Sequence, residues 1–231
     1  MADLLVAHLA ATGVRTVGVL AEASAHGDAG LAALTDSGRA NGVTVKFHAR
    51  LPLNSTDFHT QAALLVDAGV PAVVIWAEAP LALAAATATR KAGFLGARYF
   101  DTGAAAEDAI DLANNAVMGG SMFVAPLIMS PDAELGNNSM SYARQVFFND
   151  FTRRYGSMSA QAIFGADALR MIGTAAERAV DPTRLRIRNG LESAPLYQLA
   201  GSYMFSTINH GGVLPDQLAL LRLSATGWER V

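Results

Sequence analysis

The chain has 231 residues, with 17 Lys and Arg against 20 Asp and Glu, a formal net charge of −3. At 52% apolar and 16% charged residues it is too hydrophobic for a disordered polyelectrolyte. It is long enough to bury one large domain or two modest lobes. The only bunched cations are Arg184, Arg186 and Arg188. Phosphate neutralisation needs more clustered positive charge than that, so no nucleic-acid partner is expected. Cysteine is absent, which removes thiol catalysis, disulfides and cysteine-ligated metal centres.

No run of 18 apolar residues occurs, so no membrane-spanning helix is predicted. The opening Met1–Leu9 lacks a basic stretch and carries Asp3, so it does not read as a signal peptide. That fits either a cytoplasmic protein or a chain that starts after its leader.

The first hundred residues repeat one unit: a short apolar run, a turn, and an Ala/Leu-rich stretch ending in Gly. Strands are predicted at 16–22, 43–48, 70–76 and 98–101. Helices are predicted between them at about 27–40, from an Asp57 cap to Gly69, and from Pro80 to Gly93. The run 70–76 is uninterrupted and β-branched, as in a strand covered on both faces. Strand–helix alternation of this kind is the mark of successive βαβ units, which predicts an α/β fold with a doubly wound, mainly parallel sheet.

After Gly119 the pattern changes. A strand is predicted at 121–125, then a breaker-rich stretch containing Pro126, Pro131, Gly136, Asn137 and Asn138. Helices follow at 140–155, 159–179 and 182–193, the last with Asp181 as cap and Pro182 in first position. Strands at 203–206 and 217–224 close the chain, joined by a turn at Asn209–Gly212. The helices between 140 and 194 are thus predicted to have no strands of their own to cover. Their apolar positions (Phe147, Phe151, Ile163, Leu169, Ile172) are expected to be exposed and to drive a homodimer or a rearranged packing.

Enzyme signatures are missing: no Gly-x-Ser-x-Gly elbow, no Gly-x-Gly-x-x-Gly and no P-loop. Among five histidines, Asp57-Phe-His59 is the one tight pair with an acid, and at a helix start it reads as a cap rather than a metal site. His210 reads as a turn residue. Glu107, Asp108 and Asp111 mark a solvated helix start, and the eight Met read as core filler.

Several strings occur in a telling order. They are Thr12–Leu20, Ala25–Leu31, Leu53–Phe58, Pro71–Trp76, Phe147–Tyr155, Ala166–Ala168, Gly201–Ser206 and Asn209–Gly212. In that order the chain resembles the type I periplasmic binding proteins, specifically the branched-chain amino-acid-type extracellular ligand-binding receptors. His26 stands where those proteins usually carry an aromatic. The resemblance implies two α/β lobes with ligand between them, of which roughly the opening third is absent here. It assigns residues 13–125 and 215–231 to a C-terminal-type α/β lobe. Residues 126–214 become a mostly helical return segment of the other, largely missing lobe.

The same resemblance implies a non-catalytic solute-binding component of an ABC importer. It would sit outside the cytoplasm, hold an amino-acid-like ligand and meet a transporter permease, with no cofactor. Ligands of open α/β sheets lie beyond the carboxyl ends of the strands. Ser24, His26, Trp76, Glu78, Asp101 and Thr102 are therefore the candidate contacts. By the resemblance, His26 would take the wall position, Trp76 to Glu78 the second contact, and Asp101 the acidic partner of the ammonium group. The alternative is a cytoplasmic ligand-sensing or oligomeric scaffold module on the same lobe fold.

Overall fold

The computed structural model describes residues 1–106, 115–130, 139–156, 158–225 and 227–231. Glu107, Asp108, Asp111, Pro131, Gly136, Asn137 and Asn138 lie outside them. The chain divides into two compact units, Met1–Ala125 with Leu220–Val231, and Pro126–Ala219. No helix among the described residues is long and apolar enough to cross a membrane.

In the first unit, helix α1 (Ala2–Ala11) precedes three strand–helix pairs. These are β1 (Thr16–Glu22) with α2 (Ala25–Asn41), β2 (Thr44–Leu51) with α3 (His59–Asp67), and β3 (Ala72–Trp76) with α4 (Ala79–Lys91). Strand β4 (Ala97–Phe100), the single turn α5 (Asn115–Met118) and β5 (Met122–Pro126) follow, and β9 (Leu218–Ser224) and β10 (Gly227–Arg230) return at the end of the chain. The sheet order is β10-β9-β5-β4-β3-β1-β2, with β2, β1, β3, β4 and β5 parallel. The doubly wound α/β architecture expected from the alternation is present.

Burial follows position in the sheet. Every residue of β3 is buried, whereas β2, at the edge, alternates exposed and half-buried residues before the buried Leu51. Helix α1 lacks a side-chain cap and was not anticipated. It is held by Leu5, Val6 and Leu9, all buried. Phe100 stacks on Phe123 at 4.7 Å and Trp228 meets Phe123 edge-on at 5.2 Å, so β10 completes the core beside β4 and β5. Ala21 pairs with Trp76, and Ile75 pairs with Phe100. Three neighbouring strands therefore end at one level.

The second unit contains α6 (Ser139–Tyr155), α7 (Ala160–Arg178) and α8 (Arg184–Glu192). It also has an antiparallel sheet of β6 (Leu196–Tyr197), β7 (Ser202–Ser206) and β8 (Asn209–Val213), in that order. Three expectations are corrected here. Helix α8 starts two residues later than expected, because Thr183, not Asp181, is its cap and accepts from the Arg186 amide at 3.4 Å. Asn209–Gly212 is strand rather than turn: Ser206 pairs with Asn209, leaving Thr207 and Ile208 as the two-residue turn. The helices also do have strands of their own, since α8 packs on β7 and α7 is tied to the segment before β7.

That tie is Asp167 of α7, which has no exposed surface. Its carboxylate accepts from the Leu199 and Ala200 amides, each at 2.8 Å, and from the Tyr203 hydroxyl at 2.9 Å. From α6, the Arg144 guanidinium donates to the carbonyls of Leu199 (2.8 Å) and Gln198 (3.3 Å). The segment 198–200 is thus gripped through both its donors and its acceptors. The apolar positions split: Ile163 is fully buried, while Leu169 and Ile172 are 75% and 48% exposed. Asp167→Ala strands three buried donors, so it is expected to destabilise the chain by about 3 kcal/mol in urea unfolding. A loss below about 0.5 kcal/mol would contradict the tie.

Candidate functional site

In the first unit the chain passes from β1 out to β2 and back to β3 on the opposite side of β1, so the gap between β1 and β3 is a topological switch point. The aligned ends of β1, β3 and β4 place Glu22, Trp76 and Asp101 side by side there. The starts of α2 and α4 bring in His26 and Glu78.

Ser24 caps α2, its hydroxyl accepting from the Gly27 amide at 3.2 Å and donating to Glu22 Oε1 at 2.5 Å. In the next turn, His26 Nε2 lies 2.7 Å from Asp101 Oδ2. Asp101 has no exposed surface, and its Oδ1 accepts from the Ala77 amide at 3.3 Å. The His26 ring lies 5.8 Å from the Trp76 indole, tilted by 40°. Trp76 is 4% exposed, so it backs His26 rather than offering a free face. A Cβ at Gly30 would sit 2.4 Å from the indole Nε1 and Cε2; only glycine lets α2 pass this ring. Arg50, near the end of β2, fixes the start of α2 by donating to the Ser24 carbonyl (3.2 Å) and pairing with Asp28 (2.8 Å).

Glu78 is exposed, the one such carboxylate among Glu22, Glu78 and Asp101. A Cβ at Gly103 would stand 3.2 Å from both Glu78 Oε1 and Asp101 Oδ2, so both acids border the same glycine. The structure therefore brings together Ser24, His26, Trp76, Glu78 and Asp101. Thr102, in a short helical turn (Thr102–Ala104), donates to Met1 Sδ at 3.2 Å. Glu22 was not singled out from sequence. Its signal was an acid closing an otherwise fully buried apolar strand, two residues before a serine cap.

Electrostatics set this cluster apart. The hydrogen bond to Asp101 raises the His26 pKa, and the charges of Asp101, Glu22 and Glu78 add to it against partial burial. Burial raises Asp101, opposed chiefly by His26. Burial and the Asp101 charge raise Glu78. Elsewhere, His59 and Asp57 contact each other at 3.0 Å on the surface, with Asp57 also accepting the His59 amide at 3.1 Å; the N-cap of α3 is Phe58, which makes no side-chain cap, rather than the expected Asp57. His210, in β8, contacts Glu192 at 3.0 Å. Among the described residues no group of three or more His, Asp or Glu could hold a metal ion.

A histidine whose pKa is raised by folding stabilises the fold fully below its ordinary value, and the gain is lost as pH rises through the folded value. Thermal melting of the wild type is therefore expected to fall between about pH 6 and about pH 9 by more than that of His26→Gln. Parallel curves would mean that the contact with Asp101 contributes nothing.

A family model described as periplasmic binding protein matches residues 1–227. An extracellular ligand-binding receptor from Rhodopseudomonas palustris HaA2 superposes with a TM-score of 0.85 at 19% identity, over 100% of this chain and 66% of its own. A leucine binding protein from Thermotoga maritima gives 0.80 at 16% identity, over 100% and 63%. A solute binding protein of an ABC transporter from R. palustris, in complex with benzoate, gives the same score and identity over 100% and 61%. This chain thus spans 61–66% of the length of these structures. No curated protein matches it by sequence.

Proposed function

Because the chain belongs to the periplasmic binding protein family, we propose that it acts outside the cytoplasm as the non-catalytic solute-binding component of an ABC importer. Its ligand is a small amino-acid-like molecule. The observation that carries this reading is the convergence of His26, Glu78 and Asp101 at the β1/β3 switch point. Roles divide by exposure. Glu78 takes the ligand's ammonium group, because Asp101 has no exposed surface and its carboxylate oxygens face His26 and the Ala77 amide. Asp101 acts through His26, holding the imidazole against Trp76 so that its free face forms the wall of the site. Ser24 and Thr102 frame that wall.

The names of two structural relatives, one a leucine binding protein and the other bound to benzoate, support a small ligand with a carboxylate. Delivery to a transporter permease and capture by closure of two lobes belong to the same proposal. The relatives are longer by about a third of their own length. We propose that part of the ligand's contacts comes from that portion, and that residues 126–214 are the return segment of the corresponding lobe.

Titration calorimetry of this chain with leucine, valine and phenylalanine tests the reading. Binding weaker than about 100 μM is expected, with leucine lost a further tenfold or so in Glu78→Gln. Sub-micromolar binding would overturn the one-sided site, and an unchanged constant in Glu78→Gln would remove its role.

We also propose that this chain self-associates through α6 and α7. Tyr142, Tyr155 and Leu169 are 71%, 69% and 75% exposed, and Phe147, Phe151 and Tyr155 form a ladder with ring spacings of 5.9 and 4.9 Å. Sedimentation velocity is expected to show a dimer that reverts to monomer in Leu169→Glu/Tyr155→Glu; a monomeric wild type would refute this.

A further inference from the structure

Glu22 closes β1 and is 5% exposed, and among the described residues its carboxylate has no ion-pair partner. Instead it joins two helix starts. Its Oε1 accepts from the Ser24 hydroxyl at 2.5 Å and its Oε2 from the Glu78 amide at 3.0 Å. Ser24 and Glu78 are the N-cap residues of α2 and α4. Using its proton on Glu22 leaves the Ser24 oxygen free to accept from the Gly27 amide at 3.2 Å. Glu78 makes no cap with its own side chain; its backbone amide is instead taken by Glu22 from across the switch point. The backbone is clamped as well, since a Cβ at Gly27 would lie 2.0 Å from the Glu22 carbonyl oxygen. Both helix N-termini direct partial positive charge toward this carboxylate.

We infer that Glu22 is a positioning residue of the site: one buried carboxylate that fixes the spacing between the loop carrying His26 and the loop carrying Glu78. It is buried behind the loops that would meet the ligand. Its effect on binding passes through the two loops it joins, and its charge adds to those of Asp101 and Glu78 facing the His26 ring. The inference rests on the ligand-binding reading for its purpose, but not for its geometry.

The test uses nuclear magnetic resonance of the full unliganded chain, followed by leucine titration of the same samples. In Glu22→Gln, which keeps the shape and one acceptor oxygen, the Glu78 amide is expected to exchange with solvent about tenfold faster. The His26 titration midpoint is expected to fall. Glu22→Ala shows both changes more strongly, and a melting temperature that drops equally in the two variants does not mimic this ranking. Unchanged exchange at Glu78 and an unchanged His26 midpoint in Glu22→Gln would overturn the inference. If both move while wild type shows no leucine binding even at millimolar concentration, the positioning role stands and the assigned ligand class falls.

Discussion

A carboxylate without exposed surface keeps its charge only if donors replace the water it has lost. Asp101 meets that demand with the His26 imidazole and the Ala77 amide, and this constraint organises the whole carboxyl edge of the first sheet. It fixes the His26 ring against Trp76, sets its orientation, and turns a residue 75 positions away in sequence into part of the same small cluster. Glu22, also buried, is held by a hydroxyl and a backbone amide. Two buried acids thus hold the two loops from which a ligand would be met, and the third acid, Glu78, is left to face outward.

The arrangement explains why the exposed and buried members of the cluster cannot exchange roles. Moving Asp101 into solvent would unmake the contact that steadies His26. Burying Glu78 would add a third negative charge to a pocket of low dielectric with a single imidazole to balance it. The sheet register makes this possible at all. A one-residue slip of β3 against β1 would turn Trp76 to the other face and carry Glu78 away from Glu22.

Much of this was legible in the residues. The uninterrupted run 70–76 and the alternating run in β2 gave correct strands because burial on two faces or one leaves its own periodicity. The six candidate residues lay at strand ends, where ligands of such sheets are met, and the family resemblance is matched over residues 1–227. What was not legible depended on partners distant in sequence. Helix α1 has no cap to announce it and exists because Leu5, Val6 and Leu9 find a core. Strand β8, rich in Gly with an Asn and a His, has the composition of a turn; only its pairing with β7 makes it a strand. Nothing local separates Asp101, fully buried, from Glu78, exposed: both follow an apolar strand, and the difference arises from how β4 sits between β3 and β5.

The central claim is that a buried Asp101 holds His26 in a protonation-dependent contact. Titrating the His26 imidazole by nuclear magnetic resonance, in the wild type and in Asp101→Asn, measures that contact directly. The expected result is a wild-type midpoint above 6.5, the ordinary histidine value, which drops once the carboxylate becomes an amide. A wild-type midpoint at or below that value, unmoved by the substitution, would contradict the account.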